Sequence, residues 1–205
     1  MCPTVLSMGP LDGSAAGRLF GLRDDASRDL AEQAGAVAQA CHAMAVRFHQ
    51  GGKLIVFGTG GSSTDAQHVA VEFVHPVIVG KRALPAISLT ADIATVTGIA
   101  ERHGMEAIFA HQIRYLADPA DIALGISAEP SVLAGLREAK KKGLLTIALT
   151  GRSGTGKTEA DHVLTADSDD PRIVKETQVT TYHILWELVH VFFEQPGLLA
   201  PGVIA

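Results

Sequence analysis

The sequence predicts an α/β fold in which a parallel sheet of five strands carries helices on both faces. Short apolar, β-branched runs alternate with helical patterns after residue 52. Aromatic residues make up only 5% of a chain that is 47% hydrophobic, so Ala, Val, Leu and Ile must fill the core, as in parallel sheets buried on both faces. Such alternation implies right-handed crossovers, and we expect ligands at the carboxyl ends of the strands.

The bounds of the predicted elements follow from the same patterns. A helical pattern runs from Ser14 to Gln50, with a wide apolar stripe at spacings of three and four from Leu30 to Phe48, and predicts a long amphipathic N-terminal helix that ends at Gly51 and Gly52. The strands are predicted at Lys53 to Phe57, Ala83 to Leu89, Ile122 to Ile126, Leu144 to Leu149 and His162 to Thr165, with helices near 63–75, 92–117, 131–142 and 171–194. Residues 1–13 and 196–205 are predicted to be tails around a single domain of residues 14–195.

Charge and composition argue against several classes of protein. The net charge of −5 disfavours general affinity for nucleic acid or for anionic membranes. The two cysteines, Cys2 and Cys41, give no disulfide framework and no Cys-rich zinc site. No apolar stretch is long enough to span a bilayer without glycine, proline or charge. We therefore expect a cytoplasmic protein that binds neither nucleic acid nor a membrane.

The turn after the first predicted strand has the composition of an anion-binding site. Gly58, Gly60 and Gly61 permit the backbone conformations of a tight strand-to-helix connection. The helix that follows offers free N–H groups, the positive end of its dipole and three successive hydroxyl side chains to a phosphate. A glycine-rich turn can also serve close packing alone, so both interpretations stay open at this point.

His68 and Glu72 lie four residues apart on the helix that follows this turn. This spacing places both side chains on one helix face, where they can share a metal ion or a substrate. Most charged pairs with this spacing are solvated surface pairs, so the spacing alone does not establish a function.

The letters Gly151-Arg-Ser-Gly-Thr-Gly-Lys-Thr158 match the P-loop pattern and follow a predicted strand. A P-loop also requires a helix that begins on the loop, and only three residues separate Thr158 from the next predicted strand. We therefore expect no nucleotide to bind here, and we interpret the segment as a flexible surface connection.

An ordered series of motifs resembles the sugar isomerase (SIS) domain family, most closely its phosphoheptose isomerases. The resemblance extends from about Ala26 to Glu194 and rests on the glycine turn, Asp65-Ala-Gln-His68, Glu72, Ser88 to Asp92, Gly125 to Ser127, Leu149 to Gly151 and His183 to Val189. It implies a flavodoxin-like, three-layer sandwich with a five-stranded parallel sheet. It also implies a homotetramer with active sites between subunits, and an isomerase that converts a ketose phosphate to an aldose phosphate.

The resemblance assigns the substrate-binding residues one by one. Ser62 and Ser127 would face the substrate phosphate, while Gly60 and Gly61 would let the backbone approach it. Asp92 would contact sugar hydroxyls. The expected reaction is the isomerisation of sedoheptulose 7-phosphate to D-glycero-D-manno-heptose 7-phosphate.

The resemblance likewise implies the catalytic pair and a zinc site. Glu72 and His183 would be the acid/base pair of a reaction that passes through an enediol, and both would join His68 as zinc ligands. The family's glutamine ligand at the start of the last helix has no counterpart here. Glu176, which shares a helix face with His183, is the candidate fourth ligand, since a protonated Lys175 cannot bind zinc.

The loop after the third strand departs from the family pattern. Ser127 is followed by Ala128, Glu129 and Pro130, so the loop is shorter, has fewer hydroxyls and carries a carboxylate that repels phosphate. This departure favours a second hypothesis, a non-catalytic SIS protein that binds a sugar phosphate or, like a replication-initiator-binding factor, a protein partner. An enzyme for a related substrate with a different anionic group, or none, is a third.

Overall fold

The computed structural model describes residues 14–195 and 197. The predicted tail at residues 1–13 lies outside the described residues, as does the predicted tail at 196–205 apart from residue 197. Two helices, α1 (Ala15–Glu32) and α2 (Ala34–His49), form the predicted N-terminal helical region. They meet at Gln33, whose side chain donates to Thr165 O at 2.7 Å and accepts from Thr165 N at 3.1 Å.

Strands and helices alternate after α2, which confirms the predicted α/β class. The elements are β1 (Leu54–Gly58), α3 (Gly61–Val74), β2 (Ala86–Ser88), α4 (Ile93–His103), α5 (Ala107–Leu116), β3 (Ile122–Ile126), α6 (Pro130–Lys141), β4 (Leu145–Gly151), β5 (His162–Ala166) and α7 (Pro171–Glu194). The helix predicted at 92–117 is divided, because Gly104 takes a positive φ of 84° and ends α4. No helix in the described part of the chain is long and apolar enough to cross a membrane.

The five strands form one parallel sheet in the order β2-β1-β3-β4-β5. The chain moves outward from β1 to β2 and then returns to add β3 on the other side of β1, so the strand order reverses between β1 and β3. Gly58 of β1 pairs with Ile126 of β3, which places the glycine turn level with Ser127. Ligands of open α/β sheets bind at such a reversal, outside the carboxyl ends of the strands.

Apolar side chains fill the space on both faces of the sheet. Leu54 and Val56 of β1 belong to a cluster with α2, α3 and α7. Ile55 and Phe57 of the same strand belong to a cluster with α4, α5 and α6. The alternation of side chains along a strand therefore produces the predicted three-layer sandwich.

Gly52 connects α2 to β1 at a point where the backbone of Ala120 passes close by. A Cβ built on Gly52 would lie 2.2 Å from the Ala120 carbonyl oxygen. We expect Gly52→Ala to lower the free energy of unfolding by about 1–3 kcal/mol, since backbone must move. Gly21→Ala is the matched control, because open space surrounds Gly21 within α1 and the change should stabilise the helix by about 0.5–1 kcal/mol. Denaturant unfolding of the two variants measures both effects, and an unchanged stability of Gly52→Ala would contradict the close approach.

Candidate functional site

The turn between β1 and α3 requires glycine at two positions for two different reasons. A Cβ on Gly58 would lie 2.7 Å from Ser62 Cβ and 3.0 Å from the Ile126 carbonyl oxygen. Gly60 has φ 55° and ψ −127°, a conformation that L side chains rarely adopt. Gly58 therefore serves close packing, and Gly60 serves the reversal of the chain that starts α3.

A cavity of about 380 Å³ lies at the carboxyl edge of the sheet beside this turn. Three helices begin at its wall: α3 at Gly61, α6 next to its N-cap Glu129, and α7 at Pro171. The positive ends of three helix dipoles therefore converge on one space, an arrangement that favours an anion such as phosphate. Its lining includes Gly61, Ser62, Ser127, Glu129, Ser153, Lys157, Ser168, Asp169, Lys175 and Gln178.

Ser127 has a strained backbone at this cavity. Its φ of 100° makes it the single non-glycine residue with a positive φ in the described part of the chain. Its N–H donates to the Leu149 carbonyl oxygen at 2.9 Å, and its Oγ accepts from the N–H of Glu129 at 3.4 Å. Strain of this kind is concentrated at functional sites. The structure thus brings Ser62 and Ser127 to the same cavity, as the predicted phosphate roles require.

Lys175 of α7 reaches across to the start of α3. Its ammonium group donates to the Gly61 carbonyl oxygen at 2.7 Å and forms an ion pair with the buried carboxylate of Asp65. This pair compensates the charge of Asp65, because a buried carboxylate is stable only when it is paired. Lys175 was excluded from the sequence as a zinc ligand, and its contact with Asp65 was not predicted.

His68, Glu72 and His183 form a compact group on the adjoining faces of α3 and α7. The Nε2 atoms of His68 and His183 lie 3.2 Å apart, and His68 Nε2 lies 3.4 Å from Glu72 Oε1. The Nδ1 atom of His183 lies 2.8 Å from the Val179 carbonyl oxygen, which can only accept, so Nδ1 is the donor and Nε2 faces the group. The Glu72 carbonyl oxygen accepts from Trp186 Nε1 at 2.8 Å, which fixes α3 against α7.

The donor atoms of this group suit a zinc ion. They all lie within 4.8 Å of one another. Zinc bonds of about 2.0–2.1 Å in tetrahedral geometry would place adjacent donors about 3.3–3.4 Å apart, close to the two distances above. Two histidines and one carboxylate are also a ligand set of catalytic zinc sites that keep a fourth position open. The hydrogen bond from His183 to Val179 is the outer contact that orients such a ligand.

The structure does not bring Glu176 to this group, contrary to expectation. Its carboxylate lies 2.7 Å from Arg23 Nη2 of α1 and forms an ion pair with it. Seven residues place Glu176 on the same side of α7 as His183, but also about 10 Å away along the helix axis. Glu176 and His183 do share a face of α7. The distance along the helix axis and the ion pair with Arg23 explain why Glu176 does not join the group.

Tyr182 lies beside the group and was not predicted as a site residue. Its ring centroid is 4.7 Å from that of His183 and 5.8 Å from that of His68. Burial, and then the negative charges of Asp65 and Glu72, raise the pKa of Tyr182 to about 12. The phenol therefore stays protonated at neutral pH, next to the His68 and His183 imidazoles.

Asp92 occupies a different place from the other predicted substrate-binding residues. It is the N-cap of α4, and its carboxylate accepts from Ala94 N at 3.0 Å and from Thr95 N at 3.3 Å. Hydrogen bonds from Thr95 lower the pKa of Asp92. It lines a second cavity, of about 730 Å³ between α4 and α5, and not the cavity beside Ser62.

Comparison with known proteins agrees with this fold and with the motifs. The family model of the SIS domain matches residues 22–151. A phosphoheptose isomerase of Solidesulfovibrio magneticus is 39% identical over 179 residues, which cover 85% of this chain and 88% of that protein.

Solved structures show the same similarity at the level of the fold. The structure of a phosphoheptose isomerase from Francisella tularensis matches 90% of this chain and 100% of that chain, with a TM-score of 0.81 and 31% identity. The phosphoheptose isomerase from Neisseria gonorrhoeae covers 85% of this chain and 96% of its own, with a TM-score of 0.77 and 25% identity. These matches confirm the resemblance inferred from the sequence, and the chain therefore belongs to the SIS domain family, in which it is similar to the phosphoheptose isomerases.

Proposed function

We propose that this phosphosugar isomerase interconverts sedoheptulose 7-phosphate and D-glycero-D-manno-heptose 7-phosphate, with Glu72 and His183 as the acid/base pair. The observation that carries the proposal is the close group of His68, Glu72 and His183 on two helices, α3 and α7, whose first turns both line the cavity beside Ser62. The names of the relatives support a heptose phosphate as the substrate.

The two parts of the site are spaced to suit a sugar phosphate. Ser62 and His68 both lie on α3, and their Cα atoms are separated by about 9 Å along the helix axis. A phosphate held near Ser62, Ser127 and the Gly60–Gly61 backbone would leave the far end of the sugar chain near Glu72. Asp92 lines a separate cavity, so its predicted contact with sugar hydroxyls would require the sugar chain to extend from α3 to the start of α4.

Isomerisation moves one proton between adjacent carbons and another between their oxygens. In the proposed mechanism Glu72, whose side chain is 11% exposed, removes a proton from C1 of the ketose, and the electron pair forms the double bond of the enediol. His183 Nε2 takes the proton of the C1 hydroxyl and delivers it to the C2 oxygen, and the Glu72 carboxyl group returns its proton to C2, which leaves an aldehyde at C1 and a hydroxyl on C2.

The histidines have a second role in the proposal. His68 Nε2, His183 Nε2 and one oxygen of the Glu72 carboxylate would hold a zinc ion, which would polarise the substrate carbonyl as a Lewis acid. The second Glu72 oxygen would remain the base, and His183 Nε2 would move the oxygen-bound proton only in the group without metal. The separations of 3.2 Å between the two Nε2 atoms and of 3.4 Å between His68 Nε2 and Glu72 Oε1 support this role.

We further propose that the protein is a homotetramer in which a neighbouring subunit covers the acid/base group. His68 and His183 are exposed on the single chain. Large apolar side chains at the end of α3 and beyond it are also exposed: Val71, Val74, Val77, Ile78 and Val79. A second copy over this surface would bury them and exclude water from the enediol, which protects such intermediates from side reactions.

A non-catalytic regulator that binds a sugar phosphate or a protein partner is the alternative. Glu129 lines the cavity beside Ser62 and Ser127, where its carboxylate weakens the binding of a substrate phosphate. This position of Glu129 favours the regulator. The presence of Glu72 and His183 in one group, with donor atoms within 4.8 Å of one another, favours the enzyme, since binding alone does not require an acid/base pair.

We predict that Glu72→Gln lowers kcat for sedoheptulose 7-phosphate by about 10²–10⁴-fold, because the amide cannot accept the carbon-bound proton. Glu101→Gln makes the same change at an exposed position of α4 and should leave kcat unchanged. A discontinuous NMR assay of the aldose product measures both. Undiminished turnover by Glu72→Gln would reject the acid/base assignment. A wild-type protein that converts no heptose, hexose or pentose phosphate, with or without zinc, would instead favour the regulator.

We predict that the purified protein binds about one zinc ion per chain, and that His68→Gln loses most of it, because three-ligand sites depend on each ligand. His49→Gln removes an exposed histidine at the end of α2 and serves as the control. Equilibrium dialysis followed by elemental analysis gives the metal content of each variant. If His68→Gln and the wild type contained equal amounts of zinc, the metal would have to bind outside the group of His68, Glu72 and His183.

A further inference from the structure

The segment with P-loop letters lies on the wall of the anion cavity. After β4 the chain makes a single 3₁₀ turn (Arg152–Gly154) and reaches β5 at His162 without a further helix. This confirms that the segment lacks the helix of a P-loop. Its residues Ser153, Gly154 and Lys157 nevertheless line the cavity that also holds Ser62 and Ser127.

Contacts of Arg152 hold the start of the β4–β5 connection beside the cavity. Arg152 forms ion pairs with Asp167 at 2.6 Å and with Asp169 at 3.1 Å, and its N–H donates to the Ser168 carbonyl oxygen at 3.3 Å. These contacts hold the start of the connection against the segment that leads into α7. The start of the connection therefore has a defined place beside the cavity.

A close packing contact also holds the connection against the loop after β3. A Cβ on Gly154 would lie 2.8 Å from Ala128 Cβ and 3.0 Å from Thr150 Cβ. Ala128 follows Ser127 directly, so the β4–β5 connection and the loop after β3 together form one wall of the cavity. The glycine at position 154 is what allows this approach.

The charges around the cavity distinguish Lys157 from its neighbours. Asp65 pairs with Lys175, and Arg152 pairs with Asp169. Lys157 is exposed and forms no ion pair with any residue in 14–195. The Glu129 carboxylate also has no ion-pair partner within the described range, but it lies at the N-terminus of α6, whose dipole stabilises it. The lining contains two lysines. Lys175 is paired with Asp65, whereas the charge of Lys157 is not compensated by a carboxylate in the described range, so Lys157 can bind an anionic ligand.

We propose that Lys157 binds the phosphate group of the substrate and selects phosphorylated over unphosphorylated sugars. The inference rests on the proposed function and names a specificity residue in the same site. The short loop after β3 offers Ser127 but then Ala128 and Glu129, so it supplies few donors to a phosphate. A lysine on a flexible four-carbon stem carries a compact charge that can reach a dianion from the β4–β5 connection.

The test compares the binding of inorganic phosphate and the kinetics of sedoheptulose 7-phosphate in matched variants. Lys157→Met removes the charge and keeps the length of the stem, Lys157→Arg restores the charge, and Lys141→Met removes an exposed lysine of α6 away from the cavity. We expect Lys157→Met to raise both the Kd for phosphate and KM by about tenfold, the effect of losing one hydrogen bond to a charged group. Lys157→Arg should recover most of the affinity, and Lys141→Met should equal the wild type.

The phosphate titration is independent of turnover, so it separates this inference from the proposed function. Phosphate affinity that falls in Lys157→Met supports the role of Lys157 even if the protein proves to be a regulator. The inference would be overturned if Lys157→Met and Lys141→Met bound phosphate equally well, or if the wild type bound no measurable phosphate. In either case the Glu72→Gln experiment would still test the proposed reaction. Circular dichroism of each variant checks that the fold is retained.

Discussion

The parallel packing of α3 against α7 is the constraint on which the candidate site depends. Contacts between the two helices follow one another in the same order along both: Asp65 with Lys175, His68 with His183, and the Glu72 carbonyl with Trp186. The first contact holds the β1–α3 turn against α7, and the second brings together the proposed metal and acid/base group. The third fixes the distance between α3 and α7 in the core. A displacement of either helix by one residue would separate the histidines, since each residue advances the helix by about 1.5 Å.

The topology of the sheet supplies the electrostatics of the site. All five strands are parallel, so helices that follow them begin at the carboxyl edge and direct their positive ends there. The reversal of strand order between β1 and β3 leaves space at that edge, and the strained Ser127 lies in it. An anion can therefore be bound by a protein of negative net charge, because the attraction is local and does not depend on the total charge.

Much of this architecture follows from local sequence patterns. The buried run Leu54 to Phe57 and the glycines after it predict β1 and its turn, because chain reversal and close approach are properties of a few adjacent residues. Local patterns do not report which distant side chains meet. Lys175 and Tyr182 were therefore missed as site residues, and Lys157 was set aside with the P-loop letters, since its role depends on the packing of Gly154 against Ala128. Glu176 was assigned from the position of the family's glutamine ligand and from helix periodicity, which give a face of α7 but not a distance.

A crystal structure of the Glu72→Gln variant with sedoheptulose 7-phosphate would test the account most directly. The account predicts the phosphate group between Ser62, Ser127 and Lys157, and the C1 and C2 carbons within about 3–3.5 Å of the residue 72 side chain or of His183 Nε2, as reacting groups require. A sugar phosphate bound instead in the cavity between α4 and α5, with its carbonyl carbon remote from His183, would contradict it.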